Sequence, residues 1–240
     1  MATPLSPTKL IKRKFATNEK AWTHAYNYFR HFLPIILRAY ATAKKKTCVV
    51  FDIDFTVLHY SSPLNTRELR LSSPHALKLY DLFCTNNVPI YFVTARVLSK
   101  LAIDITRQEL EHVGFKDYTM IYFMPSAQDN VGYYKETMRD VLRSQYHILF
   151  NAGDQWTDIC NRPVENEEKY NDQAYMMYGV EPGCDWGLKL ISHQEPAVTI
   201  FSKRPPHLDA VFDTVRDPFV TKPEDACSSC GAYHLSNWSV

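Results

Sequence analysis

Residues 48–60 read CVVFDIDFTVLHY. The apolar run Cys48–Phe51 leads directly into Asp52, and a second carboxylate, Asp54, follows two positions later. Acids at the tip of a hydrophobic strand are costly to desolvate unless something neutralises or uses them. In an extended chain, residues two apart point to the same side, so the two carboxylates share one side of the tip. Working outward, apolar strand-like runs recur at 88–94, 118–124 and 146–151, with a weaker fifth at 197–201. Helical patterns lie between them at 74–86, 98–113 and 134–145. Ser73 with Pro74 offers a cap and first turn for one helix, and Gly114 a stop for another. Buried strands alternating with amphipathic helices predict an α/β fold, with a mostly parallel sheet covered on both faces.

The chain has 240 residues, 45% of them hydrophobic and 13% aromatic, enough for one substantial core. With 27 basic against 26 acidic residues, nothing global points to nucleic acid or membrane. The basic runs KLIKRK (9–14) and KKK (44–46) read as solvated surface. No stretch approaches the ~18 apolar residues of a membrane span, and no signal-peptide pattern opens the chain. The expected location is therefore cytoplasmic, with the six cysteines as thiols. Residues 1–16 read as a loose leader, 17–201 as the core with an N-terminal helix over 17–42, and 202–240 as an irregular extension packed on it. Thr17 and Asn18 are both candidate caps for that helix, and Pro34 is expected to kink or split it.

In open α/β sheets, chemistry collects beyond the carboxyl ends of the strands. There this sequence places Asp52, Asp54 and Thr56 after the first strand, Thr94 and Arg96 after the second, and Asp154 and Asp158 after the fourth. Lys135 opens the helix before that fourth strand. Converging carboxylates repel unless a cation sits among them, and oxygen-only ligands suit a hard ion, most simply Mg²⁺. Thr94 and Lys135 could then hold the oxygens of a phosphoryl group. Asp52 is the expected nucleophile, and Asp54, with a raised pKa, the expected acid and base. Arg96 is expected to form a structural ion pair, and Trp156 to pack beside the metal loop.

The same residues resemble the four motifs of the haloacid dehalogenase (HAD) superfamily. VVFDIDFTVL resembles the first, IYFVTAR the second, YYKETMRDVL the third and ILFNAGDQWTDI the fourth. The last two are similar to the acid phosphatase branch that includes class B acid phosphatases and the plant vegetative storage proteins. The resemblance covers roughly residues 47–160. It implies a three-layer Rossmann-like sandwich, and it implies site roles. Asp52 would be nucleophile and Mg²⁺ ligand, and Asp54 acid/base and main-chain ligand. Asp154 would complete the protein's ligands with Asp158 in support, and Thr94 and Lys135 would bind phosphate. Phe55 departs from the pattern, standing where many members carry Gly or Glu.

Only 40 positions separate Asp54 from Thr94, so any cap inserted there is minimal and the site fairly open. His59, Tyr60, Arg67 and Arg70 lie in that link; the arginines read as solvated, with substrate contact the lesser alternative. Cys227, Cys230 and His234 have partial zinc spacing, with Cys184 or His193 as possible completing ligands, and a plain surface tail is the favoured reading. The expected function is a Mg²⁺-dependent phosphomonoester hydrolase acting through an aspartyl-phosphate on a phosphorylated small-molecule or macromolecular substrate. The alternatives are a phosphotransferase using the same intermediate and a catalytically weak storage or binding protein.

Overall fold

The computed structural model describes residues 11–61, 68–160, 167–192, 201–203 and 232–234. Strand β1 (Ile11–Phe15) is followed by helix α1 (Asn18–Tyr40) and strand β2 (Lys46–Phe51). A hairpin of β3 (Leu58–Ser61) and β4 (Glu68–Leu71) comes next, then α2 (Pro74–Thr85) and β5 (Ile90–Val97). The chain continues through α3 (Lys100–Val113), β6 (Met120–Met124), α4 (Val131–Gln145), β7 (Tyr146–Gly153) and the short α5 (Trp156–Ile159). It ends in β8 (Ala174–Glu181), β9 (Cys184–Lys189), β10 (Phe201–Lys203) and β11 (Ala232–His234).

The main sheet has the order β1-β8-β9-β7-β2-β5-β6-β11. Its centre is parallel: β2 pairs with β5 and β7, β5 with β6, and β7 with β9. Antiparallel strands finish both edges. Along β2 the side chains alternate between two cores. Val49 and Phe51 pack with α1, α2 and α3 through Trp22, Phe29, Tyr80, Phe83 and Leu110. Cys48 and Val50 pack with α4 through Tyr134, Met138 and Leu142. Burial on both faces is why the central strands read as unbroken apolar runs. The result is the three-layer α/β architecture expected from the sequence.

Local signals are used much as written. Thr17 caps α1 by accepting from the Lys20 N–H at 3.2 Å. Asn18 instead bonds the backbone of Ile191 through both its amide nitrogen (2.9 Å) and its oxygen (2.7 Å), tying α1 to the chain beyond β9. Ser73 caps α2, and Gly114 closes α3 with φ 107°.

Three details differ from expectation. Residues 11–15, read as part of a loose leader, form an edge strand on β8; an edge strand tolerates the exposed basic side chains that made it look unstructured. Helix α1 is not split at Pro34, which lies on the solvent side where a carbonyl lacking its donor can be hydrated. The weak strand expected at 197–201 is described only over 201–203, residues 193–200 lying outside the described set. There it pairs with β4 in a separate three-stranded sheet, β10-β4-β3. Among the described residues, hairpin β3–β4 is all the secondary structure between Asp54 and α2.

Candidate active site

Strand β2 lies between β5 and β7, where the direction of chain crossing reverses, so the crevice beyond its carboxyl end is the natural site. Asp52 stands there, 5% exposed, its N–H donating to the Ala152 carbonyl of β7 at 2.9 Å. The Thr56 hydroxyl donates to Asp52 Oδ2 at 3.0 Å, and Lys135 Nζ donates to Oδ1 at 2.8 Å. Lys135 comes from the first turns of α4, is 4% exposed, and also pairs with Asp158. Asp54, two residues on and half-buried, turns to Arg96 of β5 in a two-pronged pair of 2.7 and 3.0 Å. Arg96 is held in turn by Thr106 and Glu109 of α3, both at 2.8 Å. The structural ion pair expected for Arg96 thus has the expected acid/base as its partner, which stabilises the ionised carboxylate.

The loop after β7 brings the remaining acids. Gly153 ends the strand, Asp154 follows, and the turn into α5 returns Asp158, which accepts from the Gln155 N–H at 2.8 Å. Oxygens of Asp52, Asp154 and Asp158 all lie within 4.8 Å of one another. Thr94 is fully buried on β5 and accepts from the Arg96 N–H at 3.2 Å; it sits two residues beyond Phe92, the sheet partner of Phe51. Trp156 packs in a small core with Tyr170 and Tyr175, as expected for a residue beside the loop.

The electrostatics follow from this crowding. Burial raises the pKa of Asp52 well above the usual carboxylate range; Lys135 opposes the shift, while Asp158, Asp154 and Asp54 add to it. Asp154 is raised too, first by burial and then by Asp158, with Ser192, Gln155 and Lys135 pulling the other way. For Lys135, burial disfavours the ammonium, but Asp158 and Asp52 outweigh it and raise its pKa. Three buried carboxylates therefore face one buried ammonium. Buried carboxylates crowded together with only oxygens to offer fit a hard divalent cation, which would favour their ionised forms.

Several supporting residues were not singled out from the sequence. Ser192, just past β9, bonds Asp154 and accepts from Gln155, whose amide nitrogen also donates to Asp154 at 3.0 Å. Arg139, one turn after Lys135 on α4 and 1% exposed, donates to the Thr157 carbonyl at 2.7 Å and fastens the loop to the helix. Lys189 ends β9 buried, its Nζ 5.5 Å from the Trp156 ring centroid and donating to the Leu190 carbonyl. Only position at a strand end could have pointed to Lys189 and Ser192; Arg139, a charge on the buried stripe of a helix, was the more legible.

Other expectations fall elsewhere. Arg67, His193, Cys227 and Cys230 lie outside the described residues; of the partial zinc motif only the backbone of His234, in β11, is described. Cys184 is a buried core thiol of β9, and His59 is buried on β3. No helix among the described residues is long and apolar enough to cross a membrane.

Comparison with known proteins places these observations. The model of the HAD superfamily, subfamily IIIB (acid phosphatase), matches residues 13–177. Among solved structures, the class C acid phosphatase from Bacillus anthracis is similar at 22% identity with a TM-score of 0.45. The match covers 58% of this chain and 64% of that one. The same enzyme with tungstate bound gives the same values. This chain therefore spans less than two thirds of those neighbours. No curated protein matches the chain. With the family model spanning most of the chain and the residues of all four motifs, this protein belongs to subfamily IIIB, the acid phosphatases, of the HAD superfamily.

Proposed function

We propose that the chain is a phosphomonoester hydrolase that works through a phosphoryl-aspartate at Asp52, with Mg²⁺ as its cofactor. The observation that carries this reading is the setting of Asp52. One oxygen is fixed by the Thr56 hydroxyl and the other by Lys135, in a buried crevice whose three clustered carboxylates offer oxygen ligands to a dication. Asp52 and Asp154, with the Asp54 carbonyl, would hold the ion, and Asp158 would support it. When bound, the cation supplies charge neutralisation for the phosphoryl oxygens and for the attacking carboxylate.

The chain's own residues then divide the work. Lys135, kept protonated by Asp52 and Asp158, exchanges part of its hydrogen bonding to the equatorial oxygens of the phosphoryl group, with the Thr94 hydroxyl as second donor. Asp52 attacks phosphorus in line, and Thr56 holds the oxygen that does not attack. Asp54 serves the leaving oxygen and then the water of the second step. Both its oxygens are engaged by Arg96, so it must leave that guanidinium to carry a proton. Only one residue, Ile53, separates Asp52 from Asp54, so the carboxylate that serves the leaving group remains beside the nucleophile throughout.

The test is Asp52→Asn. It retains shape while removing the nucleophile, so release of inorganic phosphate from an aryl phosphate in Mg²⁺ should fall by at least on the order of 10³-fold, with the circular dichroism unchanged. Turnover by a folded Asp52→Asn protein at the parent rate would refute the assignment.

A further inference from the structure

Helix α1 buries one stripe of its surface in the core and leaves another to solvent. Lys20, Asn27, His31, Ile35 and Arg38 recur at intervals of three, four and seven residues along the outer side, all exposed. Between Glu19 and Asp52 the chain has six lysines and arginines and no acidic residue, whereas the remainder has 21 basic against 26 acidic. The near-balance of the whole chain thus hides a segregated one. Arg30, Arg38, Lys44 and Lys46 are exposed and make no ion pair among the described residues. The carboxylates at this end of the sheet are already engaged, Asp185 by Tyr40 at 2.7 Å and by His147 at 2.9 Å, and Asp140 and Glu181 by Arg143.

Apolar surface adjoins the basic stripe. Ile35 is 61% exposed and Phe32 46%. The rings of Phe32 and Tyr28 lie 4.9 Å apart, those of Tyr28 and Trp186 4.7 Å, and those of Trp186 and the exposed Tyr178 4.9 Å. A row of four aromatic rings therefore runs from α1 onto β8 and β9. One exposed apolar side chain is ordinary; a row of them beside unpaired cations marks an interaction surface.

The combination identifies the partner. At an anionic bilayer, basic side chains meet the headgroup charge, Trp and Tyr rings sit at headgroup level, and aliphatic side chains enter the acyl boundary. A nucleic-acid backbone would use the cations and leave Ile35 in water. Protein interfaces are depleted of lysine, which here stands three in a row. The site also stays clear of this surface. Lys46 opens β2 and Asp52 follows its end, so six residues of strand, about 20 Å, separate the basic end from the crevice.

We propose that the outer face of α1, from Tyr28 to Arg38 with Lys44 and Lys46, is a docking surface for an anionic phospholipid bilayer, on which the helix lies without crossing. The inference stands independently of the phosphatase reading.

The experiment sediments the full chain with vesicles of phosphatidylcholine alone and of phosphatidylcholine with phosphatidylserine. Two variants accompany the parent: Arg38→Gln with Lys44→Gln and Lys46→Gln, and Phe32→Ser with Ile35→Ser. All five positions are exposed, so both variants should keep the parent's circular dichroism. The parent should bind the phosphatidylserine vesicles, leave phosphatidylcholine alone, and be released by salt. Each basic residue at such a surface contributes about fivefold to partitioning, so the triple variant should bind on the order of 100-fold more weakly. The serine variant should bind the same vesicles about tenfold more weakly, while its retention on duplex DNA, an anion with no apolar interior, stays at the parent's level. Should the serine variant fail to fold, Ile35→Asn alone makes the comparison. A parent that binds neither vesicle, or both equally, overturns the inference, as does undiminished binding by the folded triple variant. Tighter binding to duplex DNA than to the vesicles overturns it in favour of nucleic acid. A dimer that the serine variant dissolves, with no vesicle binding, overturns it in favour of a second copy of the chain.

Discussion

Gly153 shows how closely the site is drawn. A β-carbon there would lie 2.1 Å from Asp158 Cβ and 2.5 Å from its Oδ2, distances that real contacts never reach. The strand end and the returning turn touch backbone to side chain, and this closeness brings Asp158 onto Lys135. Gly153→Ala must therefore push α5 outward and separate that pair. The expected result is a loss of about 1–3 kcal/mol of stability from overpacking, with at least a tenfold drop in phosphate release. Urea denaturation and steady-state turnover would measure the two, and a fully active alanine variant would mean that the loop is freer than its packing implies. Much at this scale was readable in advance: acids, hydroxyl and lysine stand at strand and helix ends, where the proposed chemistry would use them. What could not be read was which partner each would take. Asp54 faces Arg96, 42 positions away, and Asp154 faces Ser192, 38 positions away, pairings set by packing and not by any local pattern.

Elements are joined around the site by buried charge. Arg96 links β5 to α3 through Thr106 and Glu109 and to the turn after β2 through Asp54, and Glu109 is wholly buried. Arg96→Ala takes away the guanidinium that faces a carboxylate removed from water, and should cost about 3–5 kcal/mol. Replacing Glu109 with Gln in the same chain should return part of that loss, because the carboxylate is then no longer there to be desolvated. Denaturant midpoints of the two singles and the double would show it; strictly additive losses would exclude the coupling. The elements themselves were largely legible. The strands β2, β5, β6 and β7 carry apolar side chains to two cores, and α2, α3 and α4 show the helical stripe that covers them. The hairpin of β8 and β9 was not legible. Tyr178 and Gly179 are exposed in the middle of β8, and the acidic, tyrosine-rich composition hid its alternation. The basic residues of β1 hid that strand in the same way. Their burial depends on neighbours far along the chain, which no local window contains.

At the scale of the whole molecule, the site is a debt that the fold carries and a cation can discharge. Asp52 and Asp154 both have pKa values raised by burial and by neighbouring carboxylates, so the folded, metal-free protein holds protons that the unfolded chain would release. The sign follows from linkage. Where the native state binds more protons than the unfolded state, stability falls as pH rises. The fall begins near the ordinary carboxylate pKa of about 4 and continues up through the raised native values. A divalent ion reverses the local logic, because it binds only the deprotonated carboxylates and rewards what burial penalises. The thermal midpoint in a chelator should therefore decline as pH rises through that window. The increment on adding Mg²⁺ should grow over the same range, so that at fixed Mg²⁺ the decline flattens. Thermal scans with chelator and with Mg²⁺, repeated across pH, make the comparison, and Asp154→Asn should shrink the increment while also weakening the decline. A Mg²⁺ increment independent of pH would mean that the ion is not neutralising these carboxylates, and the charge balance drawn for the crevice would be wrong.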